Sequence, residues 1–322
     1  MHYQMLGKTD LNVSRFCLGT MTMGWTADKE TSFAIMDFAL ENGINFFDTA
    51  DIYSFWADNN DGGVSEAWIG DWLVSRQVRD KIIIATKARG RMWDGPDGEG
   101  LSRKHLLRAV EDSLKRLQVE TIDLYQSHWP DEDTPIEETL RAYEEMITQG
   151  KVRYIGCSNH TPTQLRQALT VSTENNLARY ESVQPHYNLV HRLEYEREMM
   201  GLCRAEGLGV IPYSPLAGGF LTGKYKRTGE IPAQSRGYGN TRMKPYMNDQ
   251  GYAIIAALDE IGQQHEASIA QIALAWILAN PTVTSAIVGA NRVSQLAESL
   301  KSIDITLSAA EKTRLDGLPS PT

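Results

Sequence analysis

Short apolar runs alternate regularly with longer amphipathic segments along this chain, and this alternation limits the folds that it can adopt. From Arg15 onward, apolar runs of strand length are separated by stretches with helical periodicity. In one of these stretches, Arg103 to Leu117, the side chains of Leu106, Val110 and Leu114 recur every fourth residue and share one helix face. Parallel strands covered by crossover helices produce this pattern, so the sequence predicts an α/β fold.

The number of apolar runs favours closure of the sheet into a (β/α)8 barrel, the TIM-barrel architecture. We expect one domain spanning residues 1–322, because barrels of this kind fill about 250 residues or more. Tyr3 to Val13 predicts an N-terminal β-hairpin that could plug the barrel floor, and Tyr225 to Gln250 predicts a long loop after strand 7 that could act as a lid. The candidate strands are Phe16 to Leu18, Asn45 to Phe47, Ile82 to Thr86, Ile122 to Gln126, Tyr154 to Cys157, Ser182 to Gln184, Val210 to Tyr213 and Ser285 to Val288.

Charge and composition exclude several classes of partner. The formal net charge is -9, so a general phosphate-seeking surface for nucleic acid is not expected, and an anionic ligand must meet local positive charge. The best apolar run, Ile272 to Ala279, is far shorter than the roughly 20 residues that span a bilayer, and Met1 to Gly7 lacks the apolar core of a signal peptide. Cys17, Cys157 and Cys203 are far apart and are interpreted as buried thiols in a reducing compartment. We therefore expect a cytoplasmic protein; the oligomeric state stays open.

Polar residues stand where three of the candidate strands end. Asp48, Lys87 and His128 each follow an apolar strand, and Tyr53 comes five residues after Asp48. Taken singly, each has an ordinary explanation as a turn cap, a solvated strand end, a core histidine or a loop aromatic. In a closed parallel barrel, however, all strands end on one face, so these four side chains are expected to converge into a shared site.

The four residue types fit acid catalysis. A tyrosine with a pKa of about 10 is a poor acid at neutral pH, but an ammonium nearby stabilises its phenolate. Lys87 can supply that cation, Asp48 can hold Lys87 charged and fixed, and His128 can orient a substrate oxygen beside Tyr53. The set therefore predicts proton donation to an oxygen atom next to a hydride source.

Motifs along nearly the whole chain resemble the aldo-keto reductases, particularly the bacterial members. They include Asp48-Thr49-Ala50 with Tyr53, the strand ending in Lys87, Asp123-Leu124-Tyr125 running to His128-Trp129-Pro130, and Gly156-Cys157-Ser158-Asn159. Leu6 to Thr9, Leu18 to Thr20, Tyr213 to Leu216 and Leu221 to Tyr225 are also similar to that family. The resemblance implies that Asp48, Tyr53, Lys87 and His128 are a catalytic tetrad that reduces a carbonyl group with NADPH.

The same resemblance implies a cofactor site. Ser158, Asn159 and Gln184 would hydrogen-bond the nicotinamide carboxamide, Tyr213 would stack on its ring, and Arg292 would meet the 2'-phosphate that distinguishes NADPH from NADH. Loop capping and simple solvation are the ordinary explanations for these residues. The positions expected to bind NADPH or NADP+ are Thr20, Ser158, Asn159, Gln184, Tyr213, Ser214, Pro215, Leu216, Gly218, Lys224, Gly289, Asn291, Arg292, Gln295 and Glu298.

Other motifs are set aside. No G-x-G-x-x-G follows a strand, and Gly218 to Lys224 matches most of a P-loop, but Tyr225 replaces the Ser or Thr that would hold magnesium. A plain glycine-rich turn, or glycines that let the backbone approach a pyrophosphate, explains that segment. His186 and His191 are five residues apart, which is no familiar zinc spacing, so no metal is predicted.

The chain also departs from the family pattern. Ser54 follows Tyr53 where glycine is common, and Phe55 to Gly63 look like an insertion near the substrate mouth. His160, Val288 and Ser299 also differ from the usual residues and bear on the fine cofactor contacts only. Trp25, Trp56 and Trp129 could form an apolar wall for a small carbonyl substrate, although such tryptophans often simply pack.

Two other functions remain open at this level. One is a barrel of the same family that holds NADPH as a redox sensor or a channel-associated subunit with little turnover. The other is a Schiff-base lyase or aldolase with Lys87 as nucleophile. Asp48 and Tyr53 beside Lys87 argue against the lyase, because a nucleophilic lysine must lose its proton.

Overall fold

The computed structural model describes residues 1–227, 231 and 241–321, of which 241 and 242 are described by backbone only. The chain begins with an antiparallel hairpin of β1 (Tyr3–Met5) and β2 (Asn12–Ser14). Leu6, Leu11 and Val13 are buried in the same apolar cluster as side chains from the inside of the main sheet. The hairpin therefore covers one end of that sheet, and the predicted floor plug is confirmed.

Eight parallel strands follow and form a closed barrel. In sheet order, the eighth strand lies beside the first, and the others follow in sequence order. The barrel closes between the seventh and eighth strands. There, Thr284 N donates to the carbonyl oxygen of Val210 (2.8 Å), and Ile287 N donates to that of Pro212 (2.9 Å). The predicted (β/α)8 architecture is confirmed. The strands are β3 (Phe16–Gly19), β4 (Phe46–Asp48), β5 (Ile83–Ala88), β6 (Ile122–Ser127), β7 (Val152–Ser158), β8 (Tyr180–Gln184), β9 (Gly209–Val210) and β10 (Ala286–Gly289).

The barrel interior changes from apolar to polar along the strands. Successive side chains of a strand point to opposite faces, so residues two apart share the inside. On β4 the inward pair is Phe46 and then Asp48, and on β5 it is Ala85 and then Lys87. The lower residue of each pair packs with the hairpin, and the upper one lies at the carboxyl end. The floor of the barrel is therefore apolar and its mouth is polar. The candidate site lies at the mouth.

The helices form the outer layer. The helix Arg103–Leu117 has the predicted bounds. Its N-cap is Ser102, whose side chain accepts from His105 N, and the helix buries Leu106, Val110 and Leu114. No described helix is both long and apolar enough to cross a bilayer. The helices are α1 (Lys29–Glu41), α2 (Val64–Arg76), α3 (Arg103–Leu117), α4 (Ile136–Thr148), α5 (Pro162–Asn175), α6 (Met200–Glu206), α7 (Asp249–Gln264), α8 (Ile269–Leu278), α9 (Val293–Leu300) and α10 (Ala309–Asp316).

The structure refines two predicted boundaries. The seventh barrel strand is only Gly209–Val210, because Pro212 has no N–H to continue the ladder, although Tyr213 N still donates to the Pro185 carbonyl (3.0 Å). The segment predicted as a loop contains a 3-10 helix at Thr241–Tyr246 and ends where α7 begins at Asp249. Residues 228–230 and 232–240 of that segment lie outside the described residues. Cys17, Cys157 and Cys203 are buried free thiols, as predicted.

Candidate active site

A buried ammonium group organises the mouth of the barrel. Lys87 is fully buried, and its Nζ donates to Asp48 Oδ2 (2.7 Å), to the Thr49 carbonyl (2.8 Å) and to Tyr53 Oη (3.0 Å). An ammonium group has three donors, so these three contacts use all of them. The structure thus brings Asp48, Lys87 and Tyr53 together in one chain of hydrogen bonds.

Strand register and one tight turn create this arrangement. Asp48 on β4 pairs with Ala85 on β5, which leaves Lys87 one inward step farther toward the mouth. The segment after Asp48 is held over Lys87 by backbone bonds from Thr49 N to the Ala85 carbonyl (2.9 Å) and from Asp51 N to the Lys87 carbonyl (3.1 Å). Tyr53 N then donates to the Ala50 carbonyl at 3.2 Å. The turn therefore returns the phenol of Tyr53 to the ammonium.

The second oxygen of Asp48 is fixed by two amides. Gln184 Nε2 donates to Asp48 Oδ1 at 2.8 Å, and Gln126 Nε2 donates to the same atom at 3.2 Å. Sequence reasoning missed Gln126. The signal was present, because Gln126 stands two residues beyond the inward Leu124 on β6 and so occupies the polar layer of the barrel.

Burial and the neighbouring charges determine the protonation states of Lys87 and Tyr53. Burial disfavours the ammonium of Lys87, but the Asp48 carboxylate and the Tyr53 oxygen outweigh it and raise the pKa of Lys87 above its usual value. Lys87 is therefore a cation at neutral pH, which disfavours the Schiff-base lyase. For half-buried Tyr53, loss of solvation outweighs the attraction of Lys87, so its pKa is raised rather than lowered. Lys87 favours the phenolate, as expected, but burial outweighs it, so Tyr53 holds its proton at neutral pH in the free protein.

His128 completes the group from the next strand. Its backbone N donates to the Ala88 carbonyl at 3.0 Å, its ring stacks on Trp129 with centroids 3.7 Å apart, and it meets the Tyr53 ring edge-on at 5.9 Å. Burial, followed by the positive charges of Lys87 and Arg89, lowers the pKa of His128 well below its usual value. Nδ1 is buried and has no hydrogen-bond partner within the described part of the chain. The imidazole is therefore neutral.

Exposed aromatic rings border the mouth. Trp25 and Trp56 meet edge-on at 5.7 Å, and Trp56 also contacts Tyr53 (6.3 Å between centroids) and Phe55 (5.3 Å). With Trp129, the three predicted tryptophans are among the large apolar side chains that stay exposed. The predicted insertion after Tyr53 therefore carries two aromatic rings to the site, one of which, Phe55, sequence reasoning did not single out.

Several of the predicted nicotinamide residues are linked to His128. Asn159 donates to the His128 carbonyl (2.8 Å) and accepts from Tyr213 Oη (2.8 Å), and Ser158 Oγ donates to the Gln184 carbonyl (2.9 Å). Asn159 has a φ of +59°, a left-handed conformation that asparagine tolerates better than most residues. Tyr213 stacks on His186 with rings 5.0 Å apart and 7° from parallel. These residues share one side of the mouth.

The loop after β9 is strained. Ser214 and Ala217 have φ values of +55° and +50°, and Gly218 and Gly219 have +65° and +95°. Added Cβ atoms at Gly219 would lie 2.9 Å from Lys224 Nζ, so the lysine packs against this glycine. Consecutive left-handed residues give the loop a backbone that ordinary turns do not have, and such strain clusters at ligand sites.

The remaining predicted cofactor residues divide into three groups. Thr20 is fully buried and donates to the Asp48 carbonyl at 3.0 Å, so it supports the floor of the site. Pro215 and Leu216 lie in the loop after β9, and the others lie from the end of β10 into α9. Their contacts there are Gln295 Oε1 with Asn291 N (2.8 Å), Arg292 Nε with Ser294 Oγ (3.1 Å) and Glu298 Oε1 with Gln271 Nε2 (2.9 Å). Arg292 and Asn291 are exposed, as is Gly289 at the end of β10.

Comparison with known proteins agrees with this geometry. The model of the Aldo/keto reductase family matches residues 15–319. The chain belongs to the aldo/keto reductase family. Members of this family are oxidoreductases and generally use NAD(P)H.

Three relatives illustrate the range of the family. The chain is 39% identical over 312 residues to an uncharacterized oxidoreductase, YrpG, of Bacillus subtilis, covering 95% of this chain and 92% of the relative. It is 34% identical over 323 residues to an L-glyceraldehyde 3-phosphate reductase of Escherichia coli, covering 98% and 92%. It is 35% identical over 315 residues to a probable voltage-gated potassium channel subunit beta of Oryza sativa, covering 95% and 92%.

Proposed function

We propose that this protein reduces aldehydes or ketones to alcohols with NADPH, and that Tyr53 donates the proton to the carbonyl oxygen. The observation that supports the proposal best is the contact between Lys87 Nζ and Tyr53 Oη at 3.0 Å. A protonated phenol can act as the donor, and the adjacent ammonium stabilises the phenolate that forms as the proton leaves. Lys87 thus acts in the transition state rather than on the resting pKa of Tyr53.

His128 is proposed to orient the substrate. A neutral imidazole can donate one hydrogen bond to a carbonyl oxygen, whereas an imidazolium would carry a positive charge beside Lys87. Its ring lies 5.9 Å from that of Tyr53, which leaves both side chains within reach of one oxygen atom between them. The aromatic rims formed by Trp25, Trp56 and Trp129 would exclude water from that oxygen.

The residues at the mouth fit a nicotinamide cofactor. When bound, reduced nicotinamide supplies a hydride to the carbonyl carbon. The amide nitrogen of Gln184 is engaged by Asp48, so its amide oxygen would accept from the carboxamide, together with the polar side chains of Ser158 and Asn159. Tyr213 would stack on the ring. The strained loop from Ser214 to Gly219 offers backbone groups to the pyrophosphate, which is a fit that ordinary turn geometry would not give.

The preference for NADPH over NADH is proposed from Arg292. It is exposed at the start of α9, where its guanidinium and the first N–H groups of the helix can receive a phosphate. Asn291, Gln295 and Glu298 would contact the adenosine around it. In a chain with a net charge of -9, such local positive charge is needed for an anionic ligand.

A second candidate is an NADPH-binding sensor or channel-associated subunit with little turnover. One relative at 35% identity is named as a probable potassium channel subunit. The same contacts among Asp48, Tyr53 and Lys87 would serve both functions. A measurement of catalytic turnover therefore distinguishes the reductase from the sensor. The reductase is the better supported function, because a rim of exposed aromatic rings stands beside Tyr53.

A carbonyl panel tests the proposal. Purified protein is mixed with NADPH and methylglyoxal, nitrobenzaldehyde and other small aldehydes and ketones, and NADPH oxidation and alcohol formation are both measured. The reductase is expected to consume NADPH and form alcohol in equal amounts. Tight NADPH binding with no alcohol from any carbonyl compound would favour the sensor, and trapping of substrate on Lys87 by borohydride would favour the lyase.

A further inference from the structure

Arg89 lies beside the proposed catalytic residues and has no role in the chemistry described so far. It directly follows Ala88, the last residue of β5, and the Ala88 carbonyl accepts from His128 N at 3.0 Å. Arg89 and His128 therefore leave neighbouring strands side by side at the barrel mouth. The positive charge of Arg89 is one of the causes that lower the pKa of His128 and that of Asp131.

The backbone of Arg89 is strained. Its φ is +138°, in a region that residues with a side chain rarely adopt, and its carbonyl is held there by Gly100 N at 3.0 Å. A non-glycine residue in such a conformation costs about 1–3 kcal/mol, and outliers of this kind cluster at ligand sites. Glycine would occupy this position without that cost, so the side chain of arginine needs an explanation.

The guanidinium of Arg89 has donor groups from which no described residue accepts a hydrogen bond. Its Nε is buried and finds no acceptor among the residues that the structure describes, and no carboxylate there forms an ion pair with it. Asp131 is near, but its Oδ2 already accepts from Leu101 N (2.7 Å) and Thr134 Oγ1 (2.8 Å), and its Oδ1 accepts from Asp133 N (3.2 Å). Arg91, only two residues away, is ion-paired with Glu99. A partly buried guanidinium without a partner is a costly group unless a ligand completes it.

We propose that Arg89 is a specificity-determining residue that binds an anionic group, a carboxylate or a phosphate, at the far end of the carbonyl substrate. This inference rests on the proposed function, because it concerns the same site. A guanidinium presents a planar fork of donors that matches two oxygens of such a group. Arg89 would hold the anion while Tyr53 and His128 contact the carbonyl oxygen, so anionic aldehydes would be preferred over neutral ones.

Matched substrate pairs test this. We would measure kcat/KM for 4-carboxybenzaldehyde against 4-nitrobenzaldehyde, and for glyceraldehyde 3-phosphate against glyceraldehyde, in the wild type and in Arg89→Gln. The charge-assisted contact predicts that Arg89→Gln lowers kcat/KM for the anionic member of at least one pair by about tenfold to a hundredfold, and for its neutral partner by much less. The affected pair identifies the carboxylate or the phosphate as the preferred anion.

Two further variants serve as controls. Arg91→Gln removes a cation of the same loop that already has a carboxylate partner, and it should leave both substrate ratios unchanged. Arg89→Gly removes the side chain and relieves the positive φ, so it keeps the test valid if Arg89→Gln folds poorly, and it should lose the same preference. An equal loss for both members of each pair, or unchanged ratios in both Arg89 variants, would overturn the proposal.

A binding measurement separates this inference from the proposed function. Trp129 stacks on His128, so its fluorescence can report binding of 4-carboxybenzaldehyde or glyceraldehyde 3-phosphate without turnover. If the wild type reduces none of the aldehydes but binds an anionic one, and Arg89→Gln abolishes that binding, the reductase fails and the anion site stands. Turnover of neutral aldehydes with anion binding equal in the wild type and Arg89→Gln would leave the reductase standing and remove the anion site.

Discussion

The ammonium nitrogen of Lys87 lies 3.0 Å from the phenol oxygen of Tyr53. This contact is fixed from behind, because Lys87 is fully buried and also donates to Asp48 Oδ2 at 2.7 Å. Burial raises the pKa of Tyr53 despite the nearby cation, so the phenol is protonated in the free protein. The pair is therefore prepared to donate a proton and to stabilise the phenolate that follows.

Tyr53→Phe tests the role of that phenol. The variant keeps the ring contacts with Trp56 and His128 but removes the proton, so we expect kcat to fall by about 10²- to 10⁴-fold while NADPH affinity persists. Steady-state kinetics and a cofactor titration measure the two effects. Tyr154→Phe, on β7 near the barrel floor, is the matched control and should keep full activity. A loss of less than about tenfold in Tyr53→Phe would exclude the phenol as the proton donor.

Asp48→Ala tests the buried ion pair. Removing the carboxylate leaves the Lys87 ammonium buried without its counter-charge, and breaking such a pair typically costs about 3–5 kcal/mol of unfolding free energy. Urea denaturation should show this loss. In the double variant with Lys87→Met, most of the stability should return because no unpaired charge remains. Equal instability of the single and double variants would mean that packing around Asp48, rather than charge, dominates.

Much of the site was predictable because parallel strands deliver their carboxyl ends to one face. Asp48, Lys87 and His128 each end an apolar strand, and the barrel brings them together with Tyr53, as predicted from the sequence. The hairpin floor follows from the same local patterns. These features depend on short-range periodicity and on a topology that allows few alternatives.

The remaining features depend on long-range surroundings that periodicity does not encode. The sign of the pKa shift of Tyr53 comes from a balance between burial and the charge of Lys87, which only the packed structure provides. The φ of +138° at Arg89, whose carbonyl accepts from Gly100 N, likewise has no local sequence signal. Gln126 is a different case, since its inward position on β6 could have been inferred by counting from Leu124.

The pH dependence of stability should report the neutral state of His128. Its folded pKa lies well below that of the unfolded chain, so its contribution is complete above pH of about 6.5 and is lost as pH falls from there toward the folded value. The unfolding free energy of the wild type should therefore drop relative to that of His128→Gln between about pH 6.5 and 5. Parallel curves for His128→Gln would show that folding does not lower the pKa of His128.

Arg292→Ala tests the proposed contact with the 2'-phosphate. Loss of a charge-assisted contact predicts that KM for NADPH rises by about tenfold, whereas KM for NADH, which lacks that phosphate, stays nearly constant. Lys301→Ala removes another exposed cation close to α9, one that pairs with Glu298, and should change both values little. A similar rise for both cofactors in Arg292→Ala would place Arg292 outside the phosphate contact.

A buried acidic cluster behind the site provides a stability test that is independent of catalysis. Glu66 is fully buried and accepts from Arg116 Nε (2.7 Å) and Thr86 Oγ1 (2.6 Å), so its oxygens are satisfied. Both carboxyl oxygens of Asp51 are buried, and neither has a hydrogen-bond partner in the described part of the protein. Burial, and then the charge of Glu66, raises the pKa of Asp51 well above its usual value.

Asp51→Asn should therefore stabilise the protein, and more so as pH rises. The folded state binds a proton at Asp51 more tightly than the unfolded chain, so the wild type loses stability as pH rises from about 4 through the folded pKa, whereas asparagine does not titrate. Thermal unfolding of both proteins between about pH 5 and 8 measures the difference. Asp37→Asn is the control of opposite sign, because its ion pair with Arg76 lowers the pKa of Asp37, so that variant should be less stable than the wild type at neutral pH. If Asp51→Asn is destabilised at pH 8 as Asp37→Asn is, Asp51 is a paired carboxylate in solution rather than a buried one without a partner.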